Sequence, residues 1–232
     1  MFGKELVQNA GFIMIPPQDL DDAAVSSAYI HMADYGHATV LISVGDTIGA
    51  TFTVTFTQAT SAAAAGEQAL AYTKAWASGQ VLKIDGVSGT FTVGETVTAT
   101  LTAEVYEVGP DFLVVRNLTG GTTWTDNATL TGGTSGATAL VNGTGEQEDI
   151  MVPLYTAPSS TITIPTVTFK NYLFEIDAEN MDAADDYDWF QVVLSDPGGA
   201  TLASGLVILT NPRHRNMPMP GAIGVQKMAA TL

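Results

Sequence analysis

The sequence contains no cysteine. Disulfide cross-links, thiolate metal sites and a cysteine nucleophile are therefore excluded, and packing and hydrogen bonding must stabilise the fold. Basic residues are also scarce, since 8 Lys and Arg face 24 Asp and Glu, which gives a net charge of −16. A surface that binds nucleic acid needs positive charge to displace counterions from phosphates. The composition therefore argues against nucleic acid as a partner.

Long apolar runs are missing too. The candidates are short, such as residues 206–209, whereas a membrane helix needs roughly 18 apolar residues. Lys4 and Glu5 stand where a secretory signal would have a sustained apolar run. We therefore expect a protein that is made in a cytoplasm and has no membrane partner. Its 232 residues are enough to bury a sizeable core.

Motifs of catalysis and of phosphate binding are likewise missing. The chain has no Walker sequence and no His-Glu-x-x-His, and no Gly-x-Gly-x-x-Gly follows a strand. Ser135, in Gly133-Thr-Ser-Gly136, lacks the Gly-x-Ser-x-Gly spacing of a nucleophile elbow. The prediction is a protein that is not an enzyme and has no cofactor. A glycan hydrolase with two carboxylates is the enzyme alternative, but no feature of the sequence selects a pair.

What the sequence does contain is a Thr- and Gly-rich block that occurs twice. The first copy is residues 88–98 and the second is residues 121–131. This repetition predicts two short, similar β units that pack on each other. A hairpin is predicted between them over residues 104–115, with its turn at Gly109 and Pro110. Two apolar pairs align at equal spacing, namely Phe91 with Trp124 and Val97 with Leu130.

Period-two alternation predicts strands on both sides of the duplicated block. Thr alternates with Phe52, Val54 and Phe56, which predicts a strand with one buried and one wet face. Residues 25–32 and 37–44 are predicted to be adjacent strands. The Ala-rich stretch 59–77, with Ser61 as a possible N-cap, predicts the one long helix. Further strands are predicted at residues 150–155, 161–164, 167–176, 189–195 and 206–210.

These patterns predict a mainly β fold. The host domain is β-sandwich-like with one helix, and a small inserted all-β module made of two similar β units interrupts it. Extended N- and C-terminal arms complete the chain. The host composition returns after the duplicated block, as expected for an insertion into a loop. The predicted boundaries are 1–22 for the N-terminal arm, 23–80 plus 148–210 for the host domain, 81–147 for the inserted module and 211–232 for the C-terminal arm.

The C-terminal arm, residues 211–232, differs in charge from the rest of the chain. It has three basic residues and no acid. Prolines at 212, 218 and 220 exclude a regular helix or a central strand, while its methionines make it too apolar for a simple linker. We therefore expect an arm that binds another molecule. The candidate contact residues are Arg213, His214, Arg215, Met217, Met219 and Lys227.

Three further groups have two or more interpretations. His31 and His37 flank a turn and would hold a metal with Asp34 if their strands paired, but polar positions at strand ends are the favoured explanation, and we predict no metal. Residues 175–188 carry seven acids and no base. This segment is a solvated loop, a Ca²⁺ site or a receptor for a neighbouring subunit's basic arm. The candidate surface-binding aromatics, which stack on sugars or pack in a core, are Tyr106, Phe112 and Trp124.

Parts of the host halves resemble virion structural proteins of tailed bacteriophages. The stretches that carry the resemblance are residues 29–45, 52–60, 172–181 and 187–195. The phrase Gly-Thr-Phe-Thr-Val-Gly-Glu-Thr-Val-Thr, with residues 133–139, is similar to β modules found in several phage structural proteins. The resemblance implies a capsid decoration protein, also called a head cement protein, and less readily a tail component.

The resemblance also implies partners and a location. The expected partner is the major capsid protein, and the expected assembly is a homo-oligomer, with a trimer favoured. The protein would be made in the cytoplasm of the bacterial host and would act on the capsid surface of the virion. The alternative function is a phage tail or surface module that recognises host-cell glycans through the inserted β module.

Overall fold

The computed structural model describes residues 10–21, 23–47, 51–121, 123–143, 148–154, 157–165 and 168–213. These residues are mainly β, as predicted. In this part of the chain no helix has the length and hydrophobicity of a membrane span. The strands are β1 Gly11–Asp19, β2 Val25–Ser26, β3 Ile30–His31, β4 Tyr35–Thr47, β5 Phe52–Ala59, β6 Gln68–Ala69, β7 Lys74–Ser88, β8 Thr96–Thr98, β9 Thr102–Val108, β10 Phe112–Thr119, β11 Thr129–Gly132, β12 Thr138–Val141, β13 Glu148–Pro153, β14 Thr161–Ile164, β15 Thr168–Asp177, β16 Trp189–Leu194 and β17 Thr201–Pro212.

The strands form two antiparallel sheets. The first has the order β1-β17-β4-β15-β7, and β13 pairs with the other edge of β7. The second has the order β14-β5-β16-β2, with β3 also on β16 and β6 on β5. Both sheets contribute side chains to one hydrophobic cluster, as in a β-sandwich. Phe56 of the second sheet and Phe174 of the first meet there edge to face, with ring centroids 5.2 Å apart.

The period-two prediction for β5 is confirmed. Phe52, Val54 and Phe56 are each at most 1% exposed, and the threonines between them lie on the other face. The strand borders also agree closely for β14 and β16, which span Thr161–Ile164 and Trp189–Leu194. Burial of one face therefore sets both the alternation in the sequence and the register of the strand.

Beyond the sandwich, six strands close into a ring. The C-terminal half of β7 pairs with β10, and pairing continues through β9, β8, β11 and β12 back to β7. A closed ring of this size is filled by its own inward side chains. They form a second hydrophobic cluster of Leu82, Ile84, Phe91, Val97, Leu101, Ala103, Val105, Leu113, Val115, Leu118, Trp124, Leu130, Ala137, Ala139 and Val141.

The predicted duplication is visible in the backbone of this ring. Gly94 and Asn127 occupy equivalent places in the two copies, and both have positive φ, +85° and +59°. The turns before them close with equivalent bonds, because Glu95 N–H donates to Thr92 O and Ala128 N–H donates to Thr125 O, each at 3.1 Å. β8 of the first copy pairs with β11 of the second. The predicted β9–β10 hairpin is confirmed as well.

The predicted helix over residues 59–77 is wrong. β5 extends to Ala59, the chain turns at Ala64 and Gly66 with φ of +62° and +65°, and β7 begins at Lys74. No α-helix occurs in the described ranges. The alanines favour a helix only locally, because Ala75 and Ala77 face the first hydrophobic cluster from a strand. Tertiary packing overrides the local propensity here.

Two further predictions about chain neighbours need correction. The segments 25–32 and 37–44 are not adjacent strands, because β2 and β3 pair with β16 in the second sheet and β4 lies in the first. Much of the predicted N-terminal arm is also not an arm, since β1 pairs with β17. β1 tolerates Pro16 and Pro17 because it is an edge strand with a register shift at this point.

Strand register places the two ends of the sandwich. One row of paired residues crosses the first sheet through Phe12, Ile208, Thr39, Glu175 and Lys74. This row lies near the start of β1 and the end of β17, so both described chain ends leave from this end of the sandwich. β7 starts at this end of the sandwich and runs away from it. The closed ring therefore lies at the far end of the sheet from the chain ends.

A glycine marks the junction between sandwich and ring. At Gly79, β7 is paired with β10 on one edge and β13 on the other. A Cβ added there would lie 2.4 Å from Val152 Cγ2 and 2.6 Å from Val115 O. Because the second contact is to backbone, side-chain rotation cannot relieve it. The close approach of three strands thus requires glycine at this position.

We predict that Gly79→Ala lowers the free energy of unfolding by about 1–3 kcal/mol, the usual cost of overpacking. Urea unfolding followed by tryptophan fluorescence measures the change. The matched control is Gly198→Asn, because Gly198 has φ +68°, which Asn tolerates, and open space around its Cβ position. Equal midpoints for Gly79→Ala and the unmodified chain would contradict the packing argument.

Candidate functional site

Only one of the predicted C-terminal contact residues lies in the described part of the chain. Arg213 is exposed, and its backbone N–H donates to Asp34 O at 2.9 Å, which continues the pairing of β17 with the chain before β4. The side chain projects at the end of the sandwich where the chain leaves. The other predicted contact residues, His214, Arg215, Met217, Met219 and Lys227, lie outside the described residues.

Trp124 is not available to a surface ligand. The side chain is 1% exposed inside the second hydrophobic cluster, and its Nε1–H donates to Gln80 Oε1 at 3.0 Å. This corrects its prediction as a surface-binding aromatic, since a buried indole needs a partner for its N–H rather than a stacking surface. Gln80 lies on β7 at the start of the ring, so the bond ties the second repeat unit to the shared strand.

The other two predicted aromatics are half-buried on the outside of the ring. Tyr106 lies on β9, and the Arg116 guanidinium is 5.9 Å from the centroid of the Tyr106 aromatic ring. Phe112 starts β10 and packs over Gly109, where an added Cβ would lie 2.2 Å from Phe112 Cε1. Both therefore have partners within their own hairpin. Arg116 also donates to Glu104 Oε1 at 2.5 Å and to Pro153 O at 2.6 Å, which joins the ring to β13.

The two histidines pair with different aspartates. His31 Nε2 lies 2.8 Å from Asp188 Oδ2, and its ring packs on Trp189 with centroids 4.4 Å apart. His37 Nδ1 lies 2.7 Å from Asp177 Oδ1. β3 and β4 lie in different sheets, so the strand pairing that a shared metal site requires is not formed. The described residues contain no group of three or more metal-ligating side chains.

The acidic segment 175–188 begins in the last residues of β15 and includes two short 3-10 turns, Ala178–Asn180 and Ala183–Asp185. Two of its acids hold the histidines, and Glu175 lies 4.0 Å from Lys74 Nζ. Three of the acids in this segment therefore have partners within the chain. The segment lies at the same end of the sandwich as Arg213, because Asp177 pairs with His37, which pairs with Thr210.

The outer face of the first sheet carries an apolar row that the strand patterns did not single out. Neighbouring residues in the register are Met14 with Leu206, Leu206 with Leu41, Leu41 with Leu173, Leu173 with Trp76, and Trp76 with Pro153. These six residues, called the outer row here, cross six strands. Met14 is 72% exposed, and the others are half-buried.

The signal for the outer row is present in the sequence. Strands such as Val40-Leu-Ile-Ser-Val44 and Gly205-Leu-Val-Ile-Leu209 are apolar at consecutive positions, which is typical of strands covered on both faces. A groove of about 390 Å³ continues from the outer row toward the ring end of the same face. It is lined by Pro17, Ser43, Val44, Gly45, Asn171, Leu202, Ala203 and Ser204.

A buried carboxylate joins the two repeat units. Glu95 is 4% exposed and accepts bonds from Thr92 N–H at 2.6 Å, Thr134 N–H at 3.1 Å, Ser135 N–H at 2.9 Å and Ser135 Oγ–H at 2.8 Å. Burial raises the pKa of the Glu95 carboxyl, but the bonds from Ser135, Thr92 and Thr134 outweigh burial. The pKa therefore lies below its ordinary value of 4.5.

The chain matches no protein-family model, and no curated protein is significantly similar to it.

We predict that Glu95→Gln destabilises the chain by about 1–3 kcal/mol at pH 7, because an amide cannot accept all four bonds. The lowered pKa means that the ionised carboxylate stabilises the fold above pH 4.5 and loses this effect as the pH falls through the folded-state pKa. The difference in urea midpoint between Glu95→Gln and the unmodified chain should therefore shrink in acid.

The control is Glu107→Gln, which changes an exposed carboxylate on β9. We expect its free energy of unfolding to stay within about 0.5 kcal/mol of that of the unmodified chain. A Glu95→Gln midpoint that differs from the unmodified chain by the same amount at pH 7 and pH 3 would contradict the pH argument.

Proposed function

We propose that the protein is a virion structural protein of a tailed bacteriophage, which decorates the capsid and stabilises it by bridging neighbouring capsid subunits. The role is mechanical rather than catalytic. The assembly proposed is a homo-oligomer, with a trimer favoured, bound to the major capsid protein on the virion surface.

One observation supports this proposal most directly, the placement of the two ends of the molecule. Both described chain ends leave from one end of the sandwich, and the closed ring lies at the other end of β7. A strand rises about 3.3 Å per residue, so β7 separates the two ends by roughly 50 Å. Terminal segments at one end suit attachment to a lattice, and a compact domain at the other suits outward projection.

We propose that the ring corresponds to the inserted module, residues 81–147, and that residues 211–232 form the attachment arm. Attachment by an arm adds contact area without a core of its own, although ordering the arm costs conformational entropy that many contacts must offset. The positive charge of Arg213 and the following basic residues suits contact with an acidic neighbour.

The closed ring and the C-terminal arm can be removed separately. Val81 and Glu148 are paired across β7 and β13, so replacing residues 82–147 with Asn-Gly joins the two strands in a tight hairpin. A second variant ends at Arg213, after the last described strand. We expect the hairpin variant to bind particles and raise their heat resistance, because it keeps the attachment end. We expect the truncated variant to fold but to be lost from particles.

Electron cryo-microscopy of particles that carry each variant gives occupancy, and genome release on heating gives resistance. Normal occupancy by the truncated variant would overturn the attachment role of the arm. If the hairpin variant occupies the capsid normally but the virus no longer adsorbs to its host, the glycan-recognition alternative replaces stabilisation as the function.

A further inference from the structure

The outer face of the first sheet is an open apolar surface. The second sheet packs against the inner face, through Val40, Phe174 and Val207 among others, and no second layer covers the outer face in the described ranges. The outer row nevertheless places six apolar side chains side by side there, with Met14 72% exposed at one end. A contiguous apolar surface with a polar border is characteristic of a binding site.

The C-terminal segment that follows Arg213 has a complementary pattern. Apolar side chains occupy alternate positions at Met217, Met219, Ile223 and Val225, with glycine at 221 between them. In an extended chain, alternate residues share one side. Prolines at 218 and 220 lack the N–H groups that a sheet edge requires, so this segment suits contact through side chains with a sheet face.

The two surfaces also match in length. Strands are spaced about 4.8 Å apart, so the outer row, which crosses six strands, is about 24 Å long. An extended segment whose alternate residues share one side rises about 3.3 Å per residue, so residues 217–225 span about 26 Å. The segment has basic residues and no acid, whereas the whole chain has a net charge of −16. Its charge therefore favours contact with the acidic remainder of the protein, in its own copy or in another.

Distance decides which copy can place Met217 on the outer row. Leu206 lies on β17 seven residues before Arg213, which places the outer row about 20 Å back along the strand. The four residues from Arg213 to Met217 span at most about 14 Å. Met217 therefore falls short of the outer row in its own chain.

We propose that the outer row is the docking surface for the C-terminal segment, residues 214–232, of a second copy of the chain. This inference rests on the proposed function, because it assigns one of the bridging contacts. Each copy then offers its own C-terminal segment to a neighbour and receives a segment on its outer face. Such contacts link the copies into a closed cyclic oligomer or an open filament.

Cysteine cross-linking tests this directly in the full chain, because the chain has no cysteine of its own. One preparation carries Met14→Cys at the exposed end of the outer row. A second preparation carries Met219→Cys and a tag that gives it a different mass. The control replaces Met14→Cys with Val93→Cys, whose site is 58% exposed on the closed ring. After mixing and mild oxidation, non-reducing electrophoresis measures the heterodimer.

We expect the Met14→Cys mixture to give at least several-fold more heterodimer than the Val93→Cys mixture. An excess of synthetic peptide 214–232 should suppress the heterodimer, and the same peptide with Met217→Asp and Ile223→Asp should not. Equal yields from the two mixtures would overturn the docking surface. A chain with both Met14→Cys and Met219→Cys that closes only on itself would overturn the second copy as the source.

The experiment uses purified protein without virus particles, so it separates this inference from the proposed function. Equal cross-linking together with normal particle occupancy removes the docking surface and leaves capsid decoration standing. Specific cross-linking by a chain that never binds particles removes capsid decoration and leaves the docking surface.

Discussion

A single strand carries the connection between the two hydrophobic clusters. Ala75 and Ala77 of β7 face the first cluster, and Leu82 and Ile84 of the same strand face the second. Every residue of β7 from Ala77 to Leu82 has a paired neighbour, and both edges are paired at Ala77 and from Gly79 to Val81, so backbone hydrogen bonds rather than a linker set the position of the ring. A continuous strand cannot bend freely without breaking these bonds. Gly79 is where this constraint is tightest, because three strands approach each other there.

Hydrogen bonds to a buried carboxylate contribute to the packing of the closed ring. Its two repeat units have equivalent turns, but they are not equivalent in their polar interior, because Glu95 of the first unit has Ala128 in its place in the second. The Glu95 carboxylate accepts three of its four bonds from Thr134 and Ser135, in the turn between β11 and β12 directly after the second unit. A buried charge is tolerated only when such bonds replace water. This side chain therefore adds a hydrogen-bonded link between the first unit and the turn that follows the second, beside the backbone pairing of β8 with β11.

The proposed role follows from the positions of the chain ends, the outer row and the closed ring along the molecule. The chain ends and the acidic segment lie at one end of the sandwich and the ring at the other, while the outer row crosses the sheet between them. A protein that holds a place among identical copies needs surfaces of this kind, since a heterologous contact requires two different patches on each copy. The outer row and the C-terminal segment supply such a pair in the proposed assembly.

Local patterns in the sequence determined the elements whose signal lies within a few residues. Alternation at Phe52 to Phe56, the repeated block and the β9–β10 hairpin were all predictable, because period two and turn chemistry are local properties. Tertiary structure alone decided the strand at residues 74–77 in place of a helix, the burial of Trp124 and the closure of the ring. It also assembled the outer row, whose members Met14 and Leu206 are far apart in the chain. Register between distant strands, set by burial of one face, brings such residues together, and no local pattern contains that information.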